Sequence, residues 1–326
     1  MRRRDFIALL SSVAAAWPLA ARAQQQAMPV IGFLSNIPPE NYVSLMPAFS
    51  QGLKETGYVE GQNVAFDYHW TNSEHDLPAL AAEMVTRKPA VILAVGGTAS
   101  ALALKNATTT IPIIFLIGAD PVRFGLVASF SRPGENLTGF TSLSNSLPTK
   151  QLETLHELVP NAATVGLLIN PGNPNTEFDT KDVRAGAELL GLKLIVVTAG
   201  TENEINTAIA SLAEHQAGAM LVASDLFFLR RRTQIVTLSA RYALPTMHDR
   251  SDYVAAGGLV SYGSNRNEIF RQAGAYAGRI LKGETPGELP VQQPTKFELV
   301  INLQTAKALG LTIPQSLLAT ADQVIE

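Results

Sequence analysis

Short, continuous runs of aliphatic residues alternate with longer amphipathic stretches along almost the whole chain after residue 29. A continuous apolar run is what a strand buried on both faces of a parallel sheet requires, whereas a half-exposed strand alternates apolar and polar residues. Repeated strand–helix units connect in a right-handed sense and build a doubly wound parallel sheet, so the pattern predicts an α/β fold. The predicted strands are residues 30–35, 64–70, 91–95, 113–117, 165–170, 194–198, 219–224, 244–248, 258–263 and 297–301.

The alternation is interrupted once, by a segment rich in Gly, Pro, Ser, Thr and Asn at residues 131–148, and then begins again. Such a composition is typical of a connecting segment rather than of a strand or a helix. The interruption predicts two doubly wound, Rossmann-like lobes joined by a multi-strand hinge. We assign residues 24–144 and 264–288 to lobe 1, and residues 145–263 and 289–326 to lobe 2.

The last part of the chain determines how often the backbone passes between the lobes. We expect an amphipathic helix at 267–281 to pack on lobe 1 and a strand at 297–301 to return to lobe 2. The chain is expected to end in a short helix at 317–325. This order gives three crossings, which limit the relative motion of the lobes to hinge-like opening and closing.

The first 23 residues have the features of an export signal. Arg3 and Arg4, followed by Asp5, Phe6 and Ile7, match the twin-arginine pattern. The apolar run behind them is too short and too weak to span a bilayer, and it ends in a small-residue cleavage site, Ala21-x-Ala23. We predict cleavage after Ala23 and a periplasmic location; the alternative is an amphipathic helix that stays attached.

Composition excludes several classes of function. The formal net charge is −3 at pH 7, and removing the predicted signal, with its four arginines and one aspartate, makes it more negative. Nucleic-acid binding requires clustered Lys and Arg, and the one basic run, residues 230–232, is interpreted as a solvated helix face. With no cysteine and no second long apolar stretch, we expect neither a lipid anchor nor direct membrane insertion.

The sequence contains no convincing catalytic constellation. It has neither the glycine pattern that cradles a dinucleotide nor the Gly-x-Ser-x-Gly turn that presents a catalytic serine. The five histidines are scattered without metal-ligand spacing. We therefore predict no catalytic residue, no metal and no cofactor.

The carboxyl ends of the predicted strands are the remaining candidates, because doubly wound sheets bind their ligands there. In the first half, Gly97 and Thr98 follow a strand and open a helix, where Thr98 as N-cap would leave outward N–H groups for a carboxylate; an ordinary cap without a ligand is the alternative. Asp120 either pairs with a ligand ammonium or caps a helix at 121–130. In the second half, Asp225 is the candidate partner for an ammonium. The remaining candidates are Ser35, Ala119, Asn170 and Tyr262.

Four segments and the C-terminal block, residues 294–325, resemble a known family. The segments are GLKETGYVEGQNV (52–64), DPVRFGLV (120–127), RPGENLTG (132–139) and GGLVSYG (257–263). Together they are similar to the ABC-transporter substrate-binding family that includes tryptophan- and tyrosine-type receptors.

The resemblance covers essentially the whole chain after the predicted signal. It implies a type I periplasmic-binding-protein fold, no catalysis, and a small-molecule ligand, an amino acid with an aromatic or branched side chain, delivered to ABC permease subunits. It also implies ligand contacts around Ser35, Gly97, Thr98, Ala119, Asp120, Asp225 and Tyr262. The alternative from the residues themselves is an exported α/β enzyme that uses Asp120, Asp225 and a histidine.

Overall fold

The computed structural model describes residues 28–142, 147–294 and 296–326, and these build two sheets. The first sheet has the order β2-β1-β3-β4-β5, and all of its strands are parallel. Helices cover both faces of it, as a doubly wound sheet requires. Its strands are β1 (Val30–Ser35), β2 (Ala65–Trp70), β3 (Val91–Ala94), β4 (Ile113–Ile117) and β5 (Leu137–Thr141).

The second sheet has the order β12-β11-β10-β9-β8-β6-β7. The β10–β11 pair is antiparallel, and the other described pairs are parallel. The strands are β6 (Thr164–Ile169), β7 (Lys193–Thr198), β8 (Ala219–Val222), β9 (Thr246–His248), β10 (Val260–Ser264), β11 (Phe297–Asn302) and β12 (Gln323–Ile325). The predicted α/β fold with two doubly wound lobes is confirmed.

The helices follow the amphipathic stretches between the strands. Those before the end of β6 are α1 (Met46–Glu55), α2 (Leu77–Thr86), α3 (Gly97–Ala107) and α4 (Pro148–Leu158). Those after it are α5 (Thr176–Leu189), α6 (Glu202–Glu214), α7 (Leu226–Arg230), α8 (Arg232–Arg241), α9 (Ser251–Ala255), α10 (Arg266–Leu281), α11 (Leu303–Ala308) and α12 (Gln315–Thr320). None of these helices is long and apolar enough to cross a membrane.

Helix α10 follows strand β10 of the second sheet in the chain but packs against α1 of the first lobe. Glycines allow the close approach: a Cβ at Gly52 would lie 1.7 Å from the carbonyl oxygen of Arg271, and one at Gly274 would lie 2.0 Å from that of Phe49. The chain then runs along β5, where Gln292 donates its N–H to the carbonyl of Gly139 at 2.9 Å. The assignment of residues to the two lobes stays a prediction. It gave residues 289–292 to lobe 2, whereas these residues form hydrogen bonds with the first sheet.

Three predicted elements are wrong. Residues 121–130 form turns rather than a helix, because the Asp120 carboxylate accepts the N–H groups of Val122 and Arg123 and Gly125 adopts a φ of +63°. The segment at 131–148 contains the buried strand β5. The chain ends in α12 followed by β12, which pairs with β11, instead of one helix over 317–325.

Candidate functional site

A cleft of about 400 Å³ lies between the two lobes, at the carboxyl ends of strands from both sheets. Its lining from the first sheet side includes Val95, Gly96, Gly97, Thr98, Leu116, Ile117 and Gly118, and its lining from the second includes Asn170, Asn173, Ser224, Asp225, Asp249 and Arg250. Strand ends are where open α/β sheets form ligand sites. The position of the cleft follows from the fold.

One part of the lobe 1 wall, the loop at the start of helix α3, presents backbone to the cleft. Helix α3 begins at Gly97, whose φ of +73° is a conformation that L side chains rarely adopt. A Cβ at Gly96 would lie 2.7 Å from the backbone nitrogen of Asn36, so the strand-end loops can pack this closely only with glycine there. The free N–H groups of the first helical turn and the helix dipole make this end of the cleft favourable for a negative group.

Thr98 does not cap α3, so its predicted role as N-cap is wrong. The residue preceding the helix is Gly96, which has no side chain to cap it. Thr98 is instead the second residue of the helix and lies buried at the cleft wall, with 7% of its surface exposed. Its hydroxyl is therefore a candidate ligand contact rather than part of the helix start.

The lobe 2 wall is made of side chains held by hydrogen bonds. The Asp225 carboxylate accepts the backbone N–H of Phe227 at 2.7 Å and that of Phe228 at 3.1 Å, which caps helix α7. Its other oxygen accepts the amide of Asn170 at 3.2 Å and that of Asn173 at 2.8 Å. Burial raises the pKa of Asp225, and these four bonds oppose that rise. The carboxylate thus fixes the amides that face the cleft.

Apolar side chains make up much of the remaining surface of the cleft. The described members of this set are Ile37, Tyr42, Leu116, Phe140, Leu147, Leu226, Phe227, Ile269 and Phe270. Phe227 belongs to the short helix that Asp225 caps, so the polar network also positions an aromatic ring. A ligand that fits here combines polar groups with a large apolar part.

Contacts across the cleft hold the two lobes together. Arg230, in α7 of lobe 2, donates from Nη1 to the carbonyls of Asn36 and Asn72 of lobe 1, both at 3.1 Å. The guanidinium of Arg123, after β4, stacks over the ring of Phe178 in α5. The interpretation of residues 230–232 as a solvated helix face is therefore wrong for Arg230, which lines the cleft.

Two further arginines line the cleft and were not singled out from the sequence. Arg250 lies two residues after β9 and donates from Nε to Asp249 at 3.1 Å. Arg266 begins α10, two residues after β10, and its Nη1 lies 3.5 Å from Asp252. Both arginines lie closer to a strand end than Asp225, which is three residues after β8, so the rule that selected Asp225 also covers them.

The structure brings four of the eight predicted site residues to the cleft: Gly97, Thr98, Asn170 and Asp225. Ser35 is buried beneath it and accepts the N–H of Ile37 at 2.9 Å. Ala119 is buried, with 2% of its surface exposed, while Asp120 is exposed and holds a turn.

Tyr262, the eighth predicted residue, lies within β10, and its ring packs against Phe297 of β11. It does not border the cleft in the described part of the chain. Side chains inside a strand point to the two faces of the sheet, whereas the cleft lies at the strand ends. A side chain in the middle of β10 therefore does not reach the cleft.

Comparison with known proteins identifies the family to which this architecture belongs. A family model described as ABC transporter substrate binding protein matches residues 41–325. The tyrosine-binding protein of Clostridioides difficile strain R20291 is 30% identical over 266 residues, covering 81% of this chain and 75% of that relative. The solved ABC domain in complex with L-Trp from Streptococcus pneumonia superposes with a TM-score of 0.83 at 25% identity, covering 92% of this chain and 100% of that one.

A conserved domain protein from Vibrio cholerae has the same fold, with a TM-score of 0.84 and 29% identity over 91% of this chain and 100% of that one. The matched family and the two relatives with named ligands are substrate-binding receptors rather than enzymes. The alternative of an exported enzyme built on Asp120, Asp225 and a histidine is set aside for that reason.

Proposed function

The chain belongs to the ABC transporter substrate-binding protein family, and we propose that its ligand is an amino acid with an aromatic side chain. The observation that carries this proposal is the cleft itself, which joins charged and amide groups of both lobes to a wall of apolar and aromatic side chains. A free amino acid has one positive and one negative group on a compact end and its apolar part on the other. The relatives named for tyrosine and L-Trp support the same class of ligand.

Closure of the lobes is the event that such a receptor must signal. A ligand that contacts Thr98 in lobe 1 and the Asn170–Asp225 network in lobe 2 binds the closed form better than the open one, and only this difference in affinity shifts the population. The two walls lie close together at Gly97, where an added Cβ would be 3.2 Å from Cδ1 of Leu226. A ligand held between them is recognised by both lobes at once.

Members of this family are substrate-binding proteins of ABC transporters, and such proteins typically work outside the cytoplasm. We further propose that the mature chain begins at Gln24 in the periplasm and passes its ligand to the permease subunits of such a transporter. The export pattern on residues 1–23 lies outside the described residues. Intact-mass measurement of the exported protein tests the cleavage after Ala23.

Titration calorimetry with L-tryptophan, L-tyrosine and L-phenylalanine tests the ligand class, with L-leucine and D-glucose as comparison solutes. We expect dissociation constants of about 1 µM or lower, roughly −8 kcal/mol, for at least one aromatic amino acid. Small-angle scattering should show a smaller radius of gyration in the complex. Tight binding of glucose alone, or binding of an amino acid without compaction, contradicts the proposal.

A further inference from the structure

Arg250 and Arg266 border two cavities at once. Both line the cleft, and both line a second cavity of about 240 Å³ next to it. Arg250 follows β9 of the second sheet, whereas Arg266 is the first residue of α10, the helix that packs on α1 of lobe 1. The two guanidinium groups are therefore carried by different lobes and meet where the lobes close.

The charge of Arg266 is poorly compensated by the described residues around it. Its side chain is 21% exposed, and its ion pair with Asp252 is long, at 3.5 Å, to a carboxylate that is 33% exposed. Burial and the nearby charge of Arg250 lower the pKa of Arg266 to about 10. A guanidinium has five N–H donors, and one long contact leaves most of its capacity unused.

Arg250 has a closer partner, and the carboxylates of Asp249 and Asp252 lie near both arginines. Its Nε donates to Asp249 at 3.1 Å, and Asp249 also accepts the hydroxyl of Ser224 at 2.6 Å. Two buried positive groups near each other repel, and an anion between them removes that repulsion. Bringing the lobes together places two like charges side by side, with Asp249 and Asp252 compensating them in part, and a ligand carboxylate between them would add to that compensation.

We propose that Arg250 and Arg266 bind the carboxylate of the ligand between them and that this contact couples recognition of the carboxylate to closure of the lobes. The inference rests on the proposed function for the identity of the ligand, but it concerns a pair of residues that the sequence did not indicate. The helix α3 terminus is the competing site for the carboxylate. It offers about half an elementary charge, whereas each guanidinium offers a full one and can form paired, charge-assisted hydrogen bonds.

The arrangement explains why closure depends on the ligand. Without an anion, approach of Arg266 to Arg250 is opposed by repulsion that the long contact to Asp252 compensates only in part. With a carboxylate between them, the same approach forms new hydrogen bonds from both lobes to one group. The contact is stronger in the closed form than in the open one, which is the condition for shifting the equilibrium.

The test compares ligands that differ only in the carboxylate. L-Tryptophan and L-tryptophanamide are titrated into the wild-type protein and into Arg250→Gln, Arg266→Gln and Arg266→Lys. We expect the wild type to prefer the acid over the amide by about 10- to 100-fold, the factor for one charged hydrogen bond of roughly 1.5–3 kcal/mol. The preference should fall to within a few-fold in both Gln variants and be partly kept in Arg266→Lys, which retains the charge but loses the planar fork.

Arg123→Gln is the matched control, because Arg123 also contacts the opposite lobe but lines neither cavity. It should keep the preference for the acid. Equal affinity of the wild type for acid and amide, or an unchanged preference in Arg266→Gln with a wild-type melting temperature, overturns the inference.

A second probe separates this inference from the proposed function. Indole-3-acetate carries a carboxylate on an apolar ring but has no ammonium group, and indole-3-acetamide is its neutral counterpart. The acid at millimolar concentration should raise the melting temperature of the wild type and of Arg123→Gln more than the amide does, and should lose that advantage in Arg250→Gln and Arg266→Gln. If amino acids fail to bind while this pattern holds, the ligand class is wrong and the anion site stands; if the acid has no advantage, the anion site is wrong.

Discussion

The two walls of the cleft are built in different ways. The lobe 1 wall includes the start of α3, where Gly96 and Gly97 bring backbone to the surface and where Gly96, the residue preceding the helix, has no side chain to cap it. The lobe 2 wall is a network in which one carboxylate, that of Asp225, holds two backbone N–H groups and two side-chain amides. The start of α3 depends on the absence of side chains at two positions, and the lobe 2 network depends on a particular side chain.

This difference changes what a substitution does. In lobe 1, a new Cβ disturbs the shape of the wall but leaves no polar group without a partner. In lobe 2, loss of one acceptor leaves several buried donors unsatisfied, and each unsatisfied group costs more than a typical hydrogen bond contributes. We therefore expect larger effects from lobe 2 variants, in stability and in ligand affinity together.

Asp225→Asn is expected to have the largest effect. The new amide can keep the cap on α7 but turns its NH₂ group toward the amides of Asn170 and Asn173. Neither amide can rotate freely to accept, because their Oδ1 atoms already accept the N–H groups of Gly172 and Asn175. Each buried donor left unsatisfied costs about 1–3 kcal/mol, so the melting temperature should fall by several degrees and ligand affinity by more than tenfold.

Thr98→Ala is the comparison variant on the opposite wall. Its side chain caps nothing, so we expect weaker ligand binding at a nearly unchanged melting temperature of the ligand-free protein, with Thr98→Ser restoring the affinity. Thermal melts and calorimetry on the Thr98→Ala and Asp225→Asn variants measure the difference in stability and in ligand affinity between the two walls. If Asp225→Asn loses affinity but no stability, its carboxylate acts on the ligand directly, as predicted for an ammonium, and the network account is wrong.

Gly97→Ala is expected to have an intermediate effect. A left-handed backbone costs an L residue roughly 1–2 kcal/mol, and the new Cβ would lie 3.2 Å from Cδ1 of Leu226 on the opposite lobe. The variant should lose both stability and ligand affinity, the latter by about threefold to tenfold as the walls are held apart. Calorimetry and small-angle scattering of the complex measure the two consequences.

Gly191→Ala isolates the backbone part of that effect. Gly191 has a φ of +69° and no atom within 4 Å of an added Cβ, so it shares the strain of Gly97 but not the contact. It should lose a similar amount of stability and keep full affinity. Equal loss of affinity in both variants means that general destabilisation, rather than the shape of the lobe 1 wall, weakens binding.

Asp179→Asn is expected to have an effect that depends on pH. Asp179 is buried behind the lobe 2 wall beside Ser224, and its Oδ1 has no partner among the described residues. Burial, and to a smaller extent the charges of Asp182 and Asp249, raise the pKa of Asp179 from 3.8 to about 7. Between those values the folded protein holds a proton that the unfolded chain releases. Asp179 therefore lowers the free energy of unfolding as pH rises from about 4 to about 7.

The Asn variant resembles the protonated acid and should match the wild type near pH 4. Above pH 7 it should melt higher than the wild type, because the Asn side chain has no charge to bury. Glu188→Gln, an exposed change on the same helix, is the control and should show no such trend. A constant difference between Asp179→Asn and the wild type across this range contradicts the assignment of the raised pKa.

The sequence predicts most of the fold because buried parallel strands are continuous apolar runs. Strands β1 and β4 have the predicted bounds. Strand β5 was missed because it reads Leu-Thr-Gly-Phe-Thr, which resembles a loop. Its two threonines are buried with hydrogen bonds to the carbonyls of Leu289 and Ala119, the first of which is 151 residues away, and no local pattern shows such partners.

Some residues of the candidate site could be predicted from the sequence and others could not. Gly97 and Asp225 each lie within three residues of the end of a strand, β3 and β8, so the rule for strand ends found them. Arg230 was missed because its partners, the carbonyls of Asn36 and Asn72, come from the other lobe, 194 and 158 residues away in the sequence. Backbone features that follow a strand are visible in sequence, whereas contacts between lobes depend on how the lobes face each other.

The packing of α10 on α1 also has a consequence during synthesis. The ion pair between Arg271 and Glu55 joins residues 216 positions apart, and the apolar face of α1, with Phe49 and Leu53, is covered by the same helix. At about 5–20 residues per second, a ribosome needs roughly 10–40 s to make the intervening chain. The nascent first lobe thus carries an uncovered apolar helix face for most of translation, and a chain truncated before α10 keeps that face open to chaperones and to aggregation.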